Sequence, residues 1–455
     1  TAGTSNFRAG VNAGNSIQSG GNFNVVVGDE AGTALTTGDE SVFIGYAAGD
    51  AITTGTQNVA VGANALSAGN GTNNTAVGRS SLTANTGSEN TALGVNTLAT
   101  NTAGSHSVAI GSAALLAQNP ATATDMYNVA VGSAAGTSVT TGVNNTIIGG
   151  LAADALTVGR QNVAIGVHAL GADNGGSHNV AIGLDSLAAQ NFTTDTDVYN
   201  TAVGMNSGAS ITTGVSNAIF GALAGDALTD ADFNVALGRS ALTDDTLGSK
   251  TVAVGYNALG TQNFTTATDT FNTAVGFQAG VAVTTGQKNT LLGGLAGDAL
   301  TDADFNVAIG YAALTSDTLG SKSVAVGRTA LSAQNFTTAT DVYNVAVGYD
   351  AGATVTTGVQ NTIVGGLAGD ALTTGSQNVA IGYDALGSED TASFNVAVGR
   401  EALKTQNGGE YNIAIGRTAG MLITTGTLNT IIGGNAADAL TVGTRNVAVG
   451  KDALT

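Results

Sequence analysis

The sequence predicts an all-β fold, a parallel β-solenoid or β-roll of about 26 coils with ~17 residues in each. Three observations predict it. A five-residue phrase, Asn-Val-Ala-Val-Gly or a near variant, returns at a short fixed period of about 17 residues. It occurs in 25 copies from Asn24 to Asn446, with a weaker copy at Asn6. Its fifth residue is Gly in all 25 copies. The glycine spacing leaves no room for roughly ten residues of helix, and so short a unit cannot hold a helical repeat.

Numbered from its Asn, each unit opens with a residue suited to a ladder. Position 1 is Asn in 21 of the 25 copies, the exceptions being Ser41, Ser107, Thr251 and Ser323. Identical amides on successive rungs can hydrogen-bond along the stack. Glycosylation needs Asn-X-Ser/Thr, and the phrase places Ala or Ile at that point instead. Positions 2 and 4 are mostly Val, Ile, Leu or Thr, and position 3 is usually Ala. This is a short β-branched strand closed by a Gly where φ can turn positive. Alternation sends positions 2 and 4 to one face and position 3 to the other. The branched pair is the expected core, so Val163→Asp is expected to bury an unpaired charge.

A second apolar element follows in two variants. One carries Ala-Leu at positions 8 and 9, as in Ala169-Leu170; the other moves the large residue to position 12, as in Ala224 with Leu228. Both usually end with Gly at position 15, so a coil of two short strands and two Gly corners is expected. Stacked at ~4.8 Å, the coils would make a rod of roughly 120 Å.

A longer period sits above the coil. At four places, such as Asn179 to Asn200, the gap between units widens to about 21 residues, which marks super-repeats of about 72 residues. They fall near 107–178, 179–250, 251–322 and 323–394. The whole chain, 1–455, reads as one elongated repeat domain without a capping domain. Thr1 to Ser5 resemble the tail of a unit and Thr455 stops at position 10 of another, so the two ends joined would nearly complete a coil. The chain starts at Thr1 rather than Met, as a processed chain or a segment of a longer protein would.

Composition narrows the function. With 13 basic against 32 acidic residues the formal charge is −19, which argues against nucleic acid or an anionic membrane as partner. There is no cysteine, hence no disulfide framework or thiolate metal site. No stretch approaches the ~20 apolar residues of a membrane helix, so direct membrane insertion is not expected.

Candidate contacts lie in the inserts. Phe192, Phe264 and Phe336, with Tyr127, Tyr199, Phe271 and Tyr343 just before the next position 1, could grip a glycan or receptor or pack over the solenoid side. Asp154, Asp226, Asp298, Asp370 and Asp438 share position 10, where turn carboxylates could serve calcium or simply bond their own backbone. Thr-Thr-Gly recurs, as at Thr140 and Thr212, but most neighbouring coils lack the pair that an ice-matching face would need. His106, His168 and His178 show no ligand or nucleophile beside them in sequence, so no cofactor and no catalytic residue is expected.

The NTAVG and SVAIG phrases, such as Ser107-Val108-Ala109-Ile110-Gly111, with Ala-Leu and Thr-Thr-Gly, resemble two related groups across essentially the whole chain. One is the YadA-like head of trimeric autotransporter adhesins; the other is the repetitive shaft of phage tail fibres, which the stretch Asn74 to Gly94 resembles more. The resemblance implies a homotrimer of parallel β-rolls, extracellular on a virion or bacterial cell surface. It implies a non-enzymatic structural role that supports attachment to a host glycan or receptor. The alternative expectation is a self-assembling extracellular filament that stacks end to end.

Overall fold

A computed structural model describes residues 3–455; Thr1 and Ala2, part of the expected tail of a unit, lie outside the described residues. The residues fall into two compact units, one ending at Ala231 and the other running from Asp232 to Thr455. Each unit contains thirteen three-residue strands, from Phe7–Ala9 to Ala218–Phe220 in the first and from Val235–Leu237 to Val447–Val449 in the second. No helix occurs among the described residues. The fold is the expected β-solenoid of about 26 coils.

Within a unit every strand pairs in parallel with the strand one coil on, without offset. Val163 lies beside Val180, Ala164 beside Ala181 and Ile165 beside Ile182. The closing glycine is what permits this. Gly166 has φ +136°, and a Cβ there would stand 2.4 Å from the carbonyl oxygen of Gly183 on the next rung. No side chain fits between two such corners.

The inside and outside of the strand are the reverse of the sequence expectation. Ala164 is fully buried, while Val163 and Ile165 on either side of it remain partly exposed. The same holds from strand to strand: Ala at position 3 faces in, and the branched pair faces out. The strand contributes bulk inward only where position 9 makes room: position 3 is Ala164 opposite Leu170, but Ile147 or Ile219 where position 9 is Ala153 or Gly225. The Val163→Asp expectation therefore falls at the surface, not in the core.

The opposite wall supplies the bulk, and not from a second strand as expected. Positions 7 and 9 both take left-handed backbone, as Asp185 (φ +52°) and Leu187 (φ +50°) do, which turns the chain instead of extending it. Volume is balanced between positions 9 and 12. Where position 9 is buried Leu170, Leu187 or Leu242, position 12 is polar: Asp173, Gln190 or Asp245. Where position 9 is Gly208 or Gly225, position 12 is Ile211 or Leu228. At the equivalent Gly136 (φ +57°) a Cβ would lie 2.8 Å from Ile147 Cδ1. The interior thus runs apolar, apolar, acidic, amide across the four coils of a super-repeat.

The inserts add the only further strands among the described residues. Thr124–Asp125, Thr196–Asp197, Thr268–Asp269 and Thr340–Asp341 each pair in parallel with a Gly-Ser one coil earlier in the chain, such as Gly176–Ser177.

Candidate functional site

The outward positions 2 and 4 leave each unit with a flat strand face carrying two columns of Val, Ile, Leu and Thr. Some of these side chains, including Ile148, Leu237, Leu292 and Ile381, are among the exposed large hydrophobics. The strands end in two further exposed columns. One is the residue before position 1, held in left-handed backbone as at Lys250 (φ +60°) and Phe271 (φ +51°). The other follows the corner glycine, as Tyr256, Tyr311 and Tyr349 do.

These two edge columns collect the positive charge of an acidic chain. Ten of the 13 basic residues stand in them, against three of the 32 acidic ones, Asp29, Glu40 and Glu89. In the second unit the strand face is therefore apolar with basic, aromatic borders, whereas in the first the same columns hold Arg79 alone against those three carboxylates.

The seven sequence candidates separate into two groups. Phe264 and Phe336 are buried and Phe192 is half-buried, so they pack against the solenoid as the plainer of the two expectations had it. Tyr127, Tyr199, Phe271 and Tyr343 are exposed in the edge column before position 1. Each stacks on a basic or imidazole side chain one rung earlier. Ring centroids of Tyr127 and His106, and of Tyr199 and His178, are 5.0 Å apart. Lys250 Nζ stands 5.4 Å over Phe271, and Lys322 Nζ 5.1 Å over Tyr343.

A carboxylate completes each pair. Asp125 is 3.0 Å from His106, Asp197 3.1 Å from His178 and Asp341 2.5 Å from Lys322, with Asp269 bound to Lys250. His168 likewise lies 3.4 Å from Asp185. Residues 106, 178, 250 and 322 are 72 apart, the signal that would have exposed this recurring trio. Exposed pairs of this kind contribute little individually, ~0–1 kcal/mol.

A second set escaped the sequence reading because it is buried. Asp173 Oδ1 accepts from the backbone N–H groups of Gly176 and Phe192, both at 3.0 Å, and Oδ2 from Gln190 Nε2 at 2.6 Å. Asn200 Nδ2 then donates to Gln190 Oε1 at 2.9 Å. Asp245 with Gln262 and Asp317 with Gln334 repeat the arrangement. Burial pushes the Asp173 and Asp245 carboxyls above the usual carboxylate range, against the pull of these donors. The Asp–Gln pair anchors the start of the inserted loop, which is why Phe192, Phe264 and Phe336 fold inward.

Of the position-10 aspartates, Asp298 accepts from the Thr315 hydroxyl, and burial raises the Asp298 and Asp370 carboxyls. Among the described residues no three His, Asp or Glu side chains converge as a metal site would require, and no enclosed cavity is present. No protein-family model matches the chain, and neither does any curated protein or solved structure.

Proposed function

We propose that the chain is a non-enzymatic structural fibre segment, a phage tail-fibre or adhesin shaft or head that assembles with copies of itself. In this reading it extends from a virion or bacterial cell surface and supports attachment. The observation that carries it is the strand face. Thirteen rungs at ~4.8 Å give each unit about 60 Å of two apolar columns, several hundred Å² of exposed apolar surface, more than an isolated soluble chain usually leaves uncovered. Polymer-like repetition with this face favours lateral self-association over a catalytic task.

Attachment to a host glycan or receptor falls, in this reading, to the inserted loops, whose tips carry exposed Thr193, Thr265 and Thr337. The test is sedimentation or light scattering of the purified chain, with imaging by electron microscopy. A discrete oligomer of fixed copy number, three on the resemblance stated above, is the expected result. A monomer at micromolar concentration overturns the proposal, and rods of indefinite length would replace it with end-to-end filament assembly.

A further inference from the structure

We infer that the inserted loops at Asn191, Asn263 and Asn335 are acceptor sites for N-linked glycosylation, three places where the folded chain presents an amide nitrogen to a sugar-transferring enzyme. The inference goes beyond the fibre reading and does not rest on it.

Six Asn-X-Ser/Thr sequences occur in the chain, starting at Asn70, Asn73, Asn144, Asn191, Asn263 and Asn335. The last three read Asn-Phe-Thr and lie 72 residues apart, one in each of three inserts. Their middle residue is fixed from inside the coil. Asp173, Asp245 and Asp317 accept the backbone N–H of Phe192, Phe264 and Phe336 at 3.0, 3.1 and 3.0 Å. The residues on either side stay exposed, Asn191 with Thr193, Asn263 with Thr265 and Asn335 with Thr337, and no strand includes them. Asn174 Nδ2 and the Thr246 and Thr318 hydroxyls donate to Oδ1 of the three asparagines at 3.1, 3.1 and 3.3 Å. Each Nδ2, and each of the three threonine hydroxyls, is left without a partner among the described residues. Packing accounts for the phenylalanine, and the asparagine continues the column of Thr140, Thr157 and Asn174 at position 13. Neither accounts for the threonine, the hydroxyl that such a transferase requires two residues after the reacting amide.

The remaining sequences are held in the stack. Ser88 Oγ accepts from the Thr72 N–H at 3.0 Å and from its hydroxyl at 3.4 Å. Asn73 and Asn144 are each followed by a buried ladder asparagine, Asn74 or Asn145, and by a strand residue, Thr75 or Thr146. Two equivalent loop positions lack the sequence: Asn119 precedes Pro120 and Ala121, and Asn407 precedes Gly408 and Gly409, although Glu389 holds the Gly408 N–H at 3.1 Å in the same way. Asn263 and Asn335, both in the second unit, stand four rungs or ~19 Å apart, room for a sugar on each. The co-reactant is a nucleoside-diphosphate sugar. Its bond from the anomeric carbon to phosphate breaks as the bond to Asn Nδ2 forms, the nucleoside diphosphate leaves, and the Nδ2 proton passes to a base of the transferase.

The test incubates the folded full chain with UDP-glucose and a soluble asparagine-modifying transferase that is active on an Asn-Phe-Thr peptide, and reads intact mass and peptide maps. Three hexoses per chain are expected, on Asn191, Asn263 and Asn335. Each is expected in about tenfold excess over Asn73 and Asn144, which react only through local opening of the stack. Thr193→Ala, Thr265→Ala and Thr337→Ala are each expected to remove one hexose and leave the melting temperature unchanged. A folded chain that stays unmodified overturns the inference, as does equal modification of Asn73 and Asn144. Both results are independent of the oligomeric state on which the fibre reading stands or falls.

Discussion

The side-chain Oδ1 of Asn145 accepts a 3.0 Å hydrogen bond from the backbone N–H of Asn162, one coil further on. Asn145 Nδ2 meanwhile donates at 3.0 Å to the carbonyl of Gly159 in its own coil. The expected Asn ladder is thus chiefly amide to backbone. Direct amide-to-amide bonds occur at fewer rungs, such as Asn429 to Asn412 at 2.9 Å. Asn145 thus ties its strand both to the next rung and to the corner that closes its own coil, and Asn162, Asn361 and Asn412 repeat this, while Asn179 makes only the bond to the next rung.

Replacing Asn162 by Ala orphans the Asn179 N–H and the Gly176 carbonyl, which it serves at 2.9 Å each. The expected cost is about 1–3 kcal/mol for each buried group left unpaired, read by denaturant unfolding. Asn162→Ser is expected to lose less, because Ser41 Oγ already accepts from Asn58 N–H in this stack. An Ala variant as stable as the parent would refute the ladder's role.

The corner glycines separate by position. Gly166→Ala puts a Cβ against the Gly183 carbonyl at a φ that L-residues rarely adopt, and is expected to destabilise by more than about 2 kcal/mol. Gly150 follows a corner, has no left-handed φ, and its Cβ would meet nothing within 4 Å. Gly150→Ala should stay within about 0.5 kcal/mol in the same melt. Equal effects would contradict the stacked-corner geometry.

Ala164→Asp and Val163→Asp are neighbours with opposite expected outcomes. The first buries an unpaired carboxylate inside the coil and should abolish local folding, seen as lost amide-exchange protection. The second should keep that protection yet weaken association of copies, since Val163 belongs to the exposed face. Loss of protection in both would return the branched residues to the core.

The buried carboxyls set a pH dependence whose sign follows from their direction. Asp173 and Asp245 are raised by burial, and Asp50, Asp298 and Asp370 by partial burial. The folded chain therefore keeps these protons to higher pH than the unfolded chain does. Their contribution to stability is fullest below the unfolded value near ~3.9 and is lost as pH rises through the raised folded values. The parent's unfolding free energy should fall across that window. A variant carrying Asp173→Asn and Asp245→Asn should show a shallower fall by denaturant titration at several pH values. An unchanged slope would count against buried ionisation at these sites.

The period, the parallel stacking and the glycine corners were legible in the sequence because backbone sterics leave few alternatives at a stacked Gly such as Gly166. The direction of the strand was not. Alternation divides Val163 and Ile165 from Ala164 but does not say which set faces in, and ranking by hydrophobicity chose the larger pair. The opposite wall decides otherwise: Leu170 leaves room only for Ala164 beneath it, whereas Gly225 leaves room for Ile219 beside Leu228. Asp173 was hidden for a related reason. An Asp in a Gly-rich turn ordinarily meets water, and its burial depends on Gln190 and the Phe192 N–H from the following coil.

The four-layer order at position 12 also restricts how such a chain can change length. Removing one coil from the middle would seat an acidic layer against the wrong neighbour and strand the Gln that serves it. Removing a whole super-repeat restores the same sequence of layers and the same loop spacing. From Gln118 onward, duplication or deletion is thus expected to be best tolerated in blocks of four coils, each adding or removing about 19 Å of stacked strands.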